Sequence, residues 1–180
     1  MQRILVPLIA VAVLLAAGVV GAALTLVSPE DEQASQGQAA TAIPTAAEVA
    51  AVAADLGPIE VHRSESCGCC SGHVDHLRDA GFEIDERVHA DDAVVPAMKH
   101  DLQIPEELWS CHTTVVDGYA IEGHVPADVI VTLLEQGWDV DGVALPGMPT
   151  GSPGMPGDQT ETWAFPTFAD GVTTEILTER

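Results

Sequence analysis

The chain has 180 residues, in which 28 acidic side chains outweigh 6 basic ones and give a net charge of −22. This charge argues against nucleic acid and anionic surfaces as partners, because they repel an acidic protein. The length allows one domain with appendages. Lys99 is the only lysine, a pattern typical of halophilic acidic proteins, whose self-repulsion is screened at high salt.

Residues 1–27 are predicted to form a membrane anchor. Residues 4–27 carry no charged side chain, and a helix of that length crosses a hydrocarbon core of about 30 Å at about 1.5 Å per residue. A cleaved signal peptide has a shorter apolar region of about 7–15 residues, so an uncleaved transmembrane helix is favoured. Arg3 precedes the segment and acidic residues follow it, which predicts a cytoplasmic N-terminus and an extracytoplasmic domain.

Residues 28–56 are interpreted as a flexible tether that ends in a short helix. The tether is rich in Ser, Gln, Ala and Glu, a composition that does not build a core. Alanine-rich residues 46–56 favour a helix, which stops at the Gly-Pro pair that follows. The compact domain is therefore predicted to span residues 57–180.

The first half of this domain is predicted to alternate strands and helices. Alternating apolar residues indicate a strand at 59–62. Apolar spacings of four and three from Cys69 onward indicate a helix that ends at Gly81. A strand at 82–88 and a helix near 92–102 follow.

The second half contains a strong hairpin signal. Two β-branched or aromatic runs, 113–116 and 119–122, flank the dipeptide Asp117-Gly118. The next elements are a helix, a Pro-Gly-rich loop and a final strand pair, at 126–137, 145–157, 162–168 and 172–177. The order β-α-β-α-β-β-α, with cysteines at the start of a helix, predicts an α/β fold of the thioredoxin-like class.

Three cysteines, Cys67, Cys69 and Cys70, lie within four residues at the predicted start of a helix. Unpaired amide N–H groups and the positive end of the helix dipole stabilise thiolates at such a position. Thiolate sulfur is a preferred ligand of Cu(I), Zn and iron–sulfur centres. The run therefore predicts a metal or redox site.

The fourth cysteine, Cys111, precedes the hairpin with His112 beside it. In a thioredoxin-like fold this loop lies against the cysteine-bearing helix start, which predicts four thiols and an imidazole in one place. Adjacent residues point in different directions, so one tetrahedral ion cannot easily bind all of them, whereas bridging thiolates in a multinuclear Cu(I) site can. The alternative is a disulfide between Cys67 and Cys70 with two bystander thiols.

Two methionines, Met148 and Met155, lie in the Pro-Gly-rich loop. Thioether sulfur is a soft, neutral ligand that suits Cu(I), and the alternative is a methionine that only packs over the fold. Among the remaining histidines, His124 is interpreted as a capping residue or as one that supports a metal ligand, with direct metal ligation as the alternative. His73 lies one turn after the cysteines, where it could reach a metal or remain half-buried.

Five separated motifs carry a resemblance to a known family. They are CGCC at 67–70, AGF at 80–82, SCHT at 110–113, IEGHVP at 121–126, and VALPGMP with GSPGM at 143–155. Over residues 58–157 the sequence resembles the CopG-like copper-resistance family of small metal-binding proteins. The resemblance implies a thioredoxin-like fold, an exported location and a copper site at the Cys-x-Cys-Cys loop, with the Cys111-His112 loop and the Pro-Gly-Met segment beside it. The chain departs from this family in its long anchor, its acidity and His73, where the family commonly has an aromatic residue.

The leading hypothesis is a membrane-tethered protein that captures Cu(I) outside the cytoplasm, for resistance or for transfer to a copper pump or chaperone. The predicted ligands are Cys67, Cys69, Cys70, Cys111, His112, Met148 and Met155. A thiol–disulfide or copper oxidoreductase that uses Cys67 and Cys70 is the second hypothesis. The third is a structural zinc domain with a tetrahedral site of three cysteines and one histidine, Cys67, Cys70, Cys111 and His112.

Overall fold

The computed structural model describes residues 43–180, which form four α-helices, one short 3₁₀ helix and seven strands. The helices are α1 (Ala46–Asp55), α2 (Gly68–Asp79), α3 (Val94–Asp101) and α4 (Ala127–Gln136), with the 3₁₀ helix at Glu106–Leu108. The strands are β1 (Ile59–Ser64), β2 (Ile84–His89), β3 (His112–Val116), β4 (Tyr119–Gly123), β5 (Gly142–Leu145), β6 (Ala164–Ala169) and β7 (Val172–Glu179).

All seven strands belong to one mixed sheet in the order β2-β1-β3-β4-β5-β6-β7. The pairs β1 with β2 and β4 with β5 are parallel, and the other neighbours are antiparallel. The predicted hairpin is confirmed as β3 and β4, joined by Asp117 and Gly118. Both turn residues have positive φ, 46° and 87°, which matches the right-handed twist of the flanking strands.

The sheet separates two apolar clusters. The larger one joins α2 and α4 to the sheet through residues such as Leu77, Ile130 and Ile121. The smaller one contains Ala120 and Phe168 and packs with residues of the segment that leads into β3. Because Ala120 and Ile121 are successive in β4, their side chains point to opposite faces of the sheet. The core therefore has two layers, one on each face.

Helix α1 packs onto the domain although the sequence assigns it to the tether region. A capping box at its start joins Thr45 and Glu48, whose carboxylate accepts the Thr45 N–H at 2.7 Å. Val49 and Ala53 are buried in the larger cluster. The short predicted helix is thus covered on its apolar face by residues of α4 and its neighbours.

The α/β class and most predicted elements are confirmed, and one strand differs. The sequence predicts a loop that begins at Leu145, whereas Gly142–Leu145 form β5 between β4 and β6. All four residues are buried, so they lack the polar alternation by which a strand is recognised.

The predicted transmembrane segment lies outside the described residues. In the part of the chain that is described, no helix has the length and apolarity needed to cross a membrane.

Candidate metal centre

The cysteine run lies at the start of α2, as the sequence predicts. Cys67 is the N-cap residue, and Cys69 and Cys70 lie in the first turn. Cys70 is completely buried against the core. Cys67 and Cys70 are joined by a disulfide, and Cys69 and Cys111 are free thiols. This disulfide is the alternative that the sequence analysis leaves open. Cys67 and Cys70 must be reduced before either of them can bind a metal as a thiolate.

All four cysteine sulfurs converge. The Sγ atoms of Cys67, Cys69, Cys70 and Cys111 lie within 4.8 Å of one another, and Cys67 Sγ is 3.6 Å from Cys69 Sγ. The predicted approach of the loop before β3 to the start of α2 is therefore found. Burial, together with a smaller effect of the neighbouring Cys69 thiol, raises the pKa of Cys111 to about 12. A metal that binds Cys111 must displace this proton.

A buried ion pair holds the loop that carries Cys111. Lys99 and Glu122 are almost completely buried and pair with each other. Lys99 Nζ donates to the Ser110 carbonyl at 3.0 Å, and Glu122 Oε1 accepts the Ser110 N–H at 2.5 Å. Glu122 Oε2 accepts from the Thr113 hydroxyl at 2.7 Å. Both backbone groups of the residue before Cys111 are thus anchored by side chains from α3 and β4.

Three buried histidines, His73, His112 and His124, pack beside Cys111. Their ring centroids are 4.7–5.3 Å apart. His112 Nδ1 lies 3.3 Å and His124 Nε2 lies 3.0 Å from Cys111 Sγ. Burial lowers the pKa of His73 to about 3 and holds the pKa of His112 well below its usual value. These imidazoles are therefore neutral, as metal ligands must be.

The sequence underrates His124, which it places in a capping or supporting role. The hairpin register pairs Thr113 with Glu122. Continuing an antiparallel register by two residues places Cys111 across from His124. Extending the predicted hairpin by two residues would therefore have identified the contact between Cys111 and His124 from the sequence.

The Pro-Gly-rich loop closes over the cysteines. Met148, which is 44% exposed, places its sulfur 3.7 Å from Cys69 Sγ. Met155 is half-buried, its N–H donates to the Ser152 carbonyl at 2.8 Å, and its sulfur makes no such contact with a described cysteine. The loop packs closely on α2 at Gly154, where only glycine fits. A Cβ at this position would lie 2.5 Å from the backbone nitrogen of His73 and 2.6 Å from the carbonyl oxygen of Cys69. The structure thus brings Met148 to the site more directly than Met155.

Comparison with known proteins identifies relatives of this arrangement. A family model described as "Protein of unknown function, DUF411" matches residues 108–155. Two solved structures, described as "Copper resistance protein copG- Form 2" and "Copper resistance protein copG- Form 1", are 41% identical to the chain with TM-scores of 0.62. The matches cover 69% of this chain and 99% and 98% of the solved ones. The chain belongs to the CopG-like copper-resistance family.

The resemblance found in the motifs is thereby confirmed. The family-model match in this CopG-like chain contains one side of the site, with Cys111, His112, His124, Met148 and Met155. The cysteine run at the start of α2 lies before that match and completes the sulfur cluster. No curated protein sequence matches the chain.

Proposed function

We propose that this protein captures copper as Cu(I) for copper resistance or homeostasis. The observation that carries the proposal is the convergence of four cysteine sulfurs within 4.8 Å of one another, with the thioether of Met148 beside them. Thiolate and thioether sulfur are the protein donors that favour Cu(I) over hard cations. Structures of the same family are described as copper resistance proteins, which supports copper as the cargo.

The first step of this proposal is reduction of the Cys67–Cys70 disulfide by an external dithiol, which is itself oxidised to a disulfide. Two further thiols, which bind copper as thiolates after losing their protons, then lie beside Cys69 and Cys111. Residues 69 and 70 are adjacent, as are Cys111 and His112, so their donor atoms approach from different directions. Thiolates that bridge two or more Cu(I) ions satisfy this arrangement, and we propose a multinuclear site with His112, Met148 and Met155 at its periphery.

We further propose that the fold is thioredoxin-like. A parallel β1-α2-β2 unit is followed by the β3-β4 hairpin and α4, and the reactive sulfurs lie at the start of the first helix after β1. This order supports the proposal. The strands β5 to β7 extend the sheet beyond that unit.

A thiol–disulfide or copper oxidoreductase is the second candidate function. The specific observation in its favour is the disulfide between Cys67 and Cys70 at a helix N-terminus, a position that stabilises a thiolate. Elemental analysis of anaerobically purified protein separates the candidates. More than one copper per chain supports capture, and a metal-free protein with dithiol exchange activity supports the enzyme.

The protein is proposed to be anchored in the membrane through residues 1–27, with its domain on the extracytoplasmic side, where a copper pump or chaperone is the expected partner. The full-length protein is therefore expected in the membrane fraction with an intact N-terminus, because residues 4–27 are uncharged and longer than a signal peptide needs. Mass spectrometry of the purified chain measures this. A mature N-terminus between Ala22 and Gln38 would show that the segment is removed.

Replacing Met148 and Met155 together by leucine is expected to leave copper binding intact at neutral pH and to weaken it on acidification. Leucine keeps the apolar volume, and a thioether binds Cu(I) without losing a proton, so its share grows as thiolates become protonated. Copper per chain after dialysis across a pH series measures the effect. Met148→Leu alone should account for most of this effect. If the double variant keeps the copper content of wild type at every pH, neither methionine binds copper and the loop only covers the site.

A further inference from the structure

Two histidines outside the metal centre face each other across the first two strands of the chain. His62 lies in β1 and His89 ends β2. The parallel register pairs His62 with Arg87 and Ser64 with His89, so the two histidines are diagonal neighbours on one face of the sheet. His62 Nδ1 lies 3.2 Å from His89 Nε2, and the two rings are nearly parallel. A nitrogen of each ring is therefore directed at the other.

A carboxylate fixes the position of the His62 proton. Glu60 Oε2 lies 3.2 Å from His62 Nε2, and an ionised carboxylate can only accept, so this nitrogen donates. A neutral His62 then has its lone pair on Nδ1, where it accepts the proton of His89 Nε2. Histidines that bind metals usually have their outer nitrogen held in this way by a carboxylate.

The sheet separates this pair from the cysteine cluster. Val61 is buried in the larger apolar cluster together with Val74 and Leu77 of α2, the helix that begins at the cysteine run. His62 follows Val61 in β1, so its side chain points to the opposite face of the sheet. The pair therefore lies on the other face from α2 and shares no residue with the sulfur site.

We infer that His62 and His89 form a second metal site, free of sulfur, which binds one divalent ion of the copper type. Imidazole nitrogen suits Cu²⁺, Ni²⁺ and Zn²⁺, and Cu²⁺ forms the strongest complexes of the three with a given set of nitrogen ligands. Thiolate and thioether sulfur instead favour Cu(I). The two sites thus select different oxidation states of copper, and the inference goes beyond Cu(I) capture without resting on it.

The separation of the two nitrogens fits one bound ion. Metal–nitrogen bonds of about 2.0–2.1 Å with bond angles of about 90–109° place two ligand nitrogens about 2.8–3.4 Å apart, and the observed separation is 3.2 Å. The rings must turn until both lone pairs converge on the ion. Both side chains are half-buried and β2 is an edge strand, so this movement does not disturb the core. The His89 proton passes through solvent from Nε2 to Nδ1, and the ring stays neutral.

The surroundings leave the remaining coordination positions to water. Within residues 43–180, no cysteine, carboxylate or further histidine completes a group of three ligands with this pair. Arg87, the register partner of His62, forms ion pairs with Asp85 and Glu60, and these carboxylates offset its positive charge beside the site.

The test uses untagged full-length protein that carries Cys69→Ser and Cys111→Ser and is purified without reductant. The Cys67–Cys70 disulfide is then closed, and no free thiol can reduce Cu²⁺. Titration with Cu²⁺ in excess glycine, which removes weakly held copper, is followed by electron paramagnetic resonance. One equivalent of bound Cu²⁺ with nitrogen hyperfine coupling is expected, and His62→Gln and His89→Gln should each weaken its binding at least tenfold. The two changes combined should cost little more than either alone, because both residues bind the same ion.

Two variants serve as controls. His100→Gln makes the same change at an exposed histidine outside the site and should have no effect. Glu60→Gln should weaken binding about tenfold, the usual effect of losing a supporting group, while the nitrogen coupling of the bound ion is retained. Thermal unfolding shows whether each variant is folded. Protection of His62 and His89 from diethylpyrocarbonate by Cu²⁺, read by mass spectrometry, gives a second measurement that needs no histidine variant.

The inference is overturned if His62→Gln and His89→Gln bind Cu²⁺ as their parent does, or if Cu²⁺ protects neither histidine. It is also overturned if the losses from the two variants add, because the histidines would then bind separate ions. These outcomes leave the pair as an imidazole–imidazole hydrogen bond only. Failure of Cu(I) capture is a separate result, because it is measured on reduced wild type with all four cysteines and the Cu²⁺ titration uses protein without a free thiol.

Discussion

Cys70→Ser is expected to weaken Cu(I) binding by reduced protein at least about a hundredfold, since loss of a supporting group alone typically costs about 10–100-fold in metal affinity. Cys70 is completely buried and its sulfur lies within 4.8 Å of the other three cysteine sulfurs. A hydroxyl is a poor ligand for Cu(I). Competition with a chromogenic Cu(I) chelator under anaerobic conditions measures the loss.

The matched control for this variant is His100→Ala, which is expected to bind copper as wild type does. Cys70→Ser also prevents the Cys67–Cys70 disulfide, so any loss of binding cannot be attributed to oxidation of that pair. Full copper stoichiometry in Cys70→Ser would remove Cys70 from the ligand set.

Lys99→Met is expected to lower the free energy of unfolding by about 3–5 kcal/mol, the usual cost of leaving a buried charge without its partner. It removes the cation that pairs with Glu122 and the donor to the Ser110 carbonyl. The loop that carries Cys111 loses one of its two anchors, so Cu(I) affinity should fall as well. Urea unfolding measures the stability, and chelator competition measures the affinity.

The pH dependence of this variant identifies the cause. Burial raises the pKa of Glu122 while Lys99 opposes the shift, and removing Lys99 raises that pKa further. A carboxyl whose pKa is raised in the folded state costs stability above that folded pKa, and the cost disappears as pH falls below its unfolded pKa. The deficit of Lys99→Met should therefore shrink on acidification. Lys99→Met combined with Glu122→Gln should recover most of the stability at neutral pH, and a deficit that persists in the double variant would contradict the explanation.

Local patterns in the sequence were sufficient to predict most of the elements. The Asp117-Gly118 turn between two β-branched runs predicts the β3-β4 hairpin, because few other turns match the twist of the strands. Strand β5 has no such signal, since its four residues are all buried and lack alternation. Its position depends on the strands that flank it on both sides, which is tertiary information.

The part of the site that lies in one short segment could be predicted from the sequence. The part that depends on packing between distant segments could not. The crowding of Cys67, Cys69 and Cys70 predicts a metal or redox centre from sequence alone, but the same spacing serves a disulfide and a metal equally. Burial of Lys99 could not be anticipated, because lysine side chains are almost always exposed. Its role depends on Glu122, which lies 23 residues away.

The most direct test of Cu(I) capture is an anaerobic Cu(I) titration of the full-length protein against a competing chelator, carried out with the Cys67–Cys70 pair reduced and again with it oxidised. Reduced protein is expected to withhold more than one equivalent of Cu(I) per chain from the chelator, and oxidised protein is expected to withhold less. Reduced protein that withholds no copper, or that gives the same curve in both redox states, would contradict capture through this cysteine cluster.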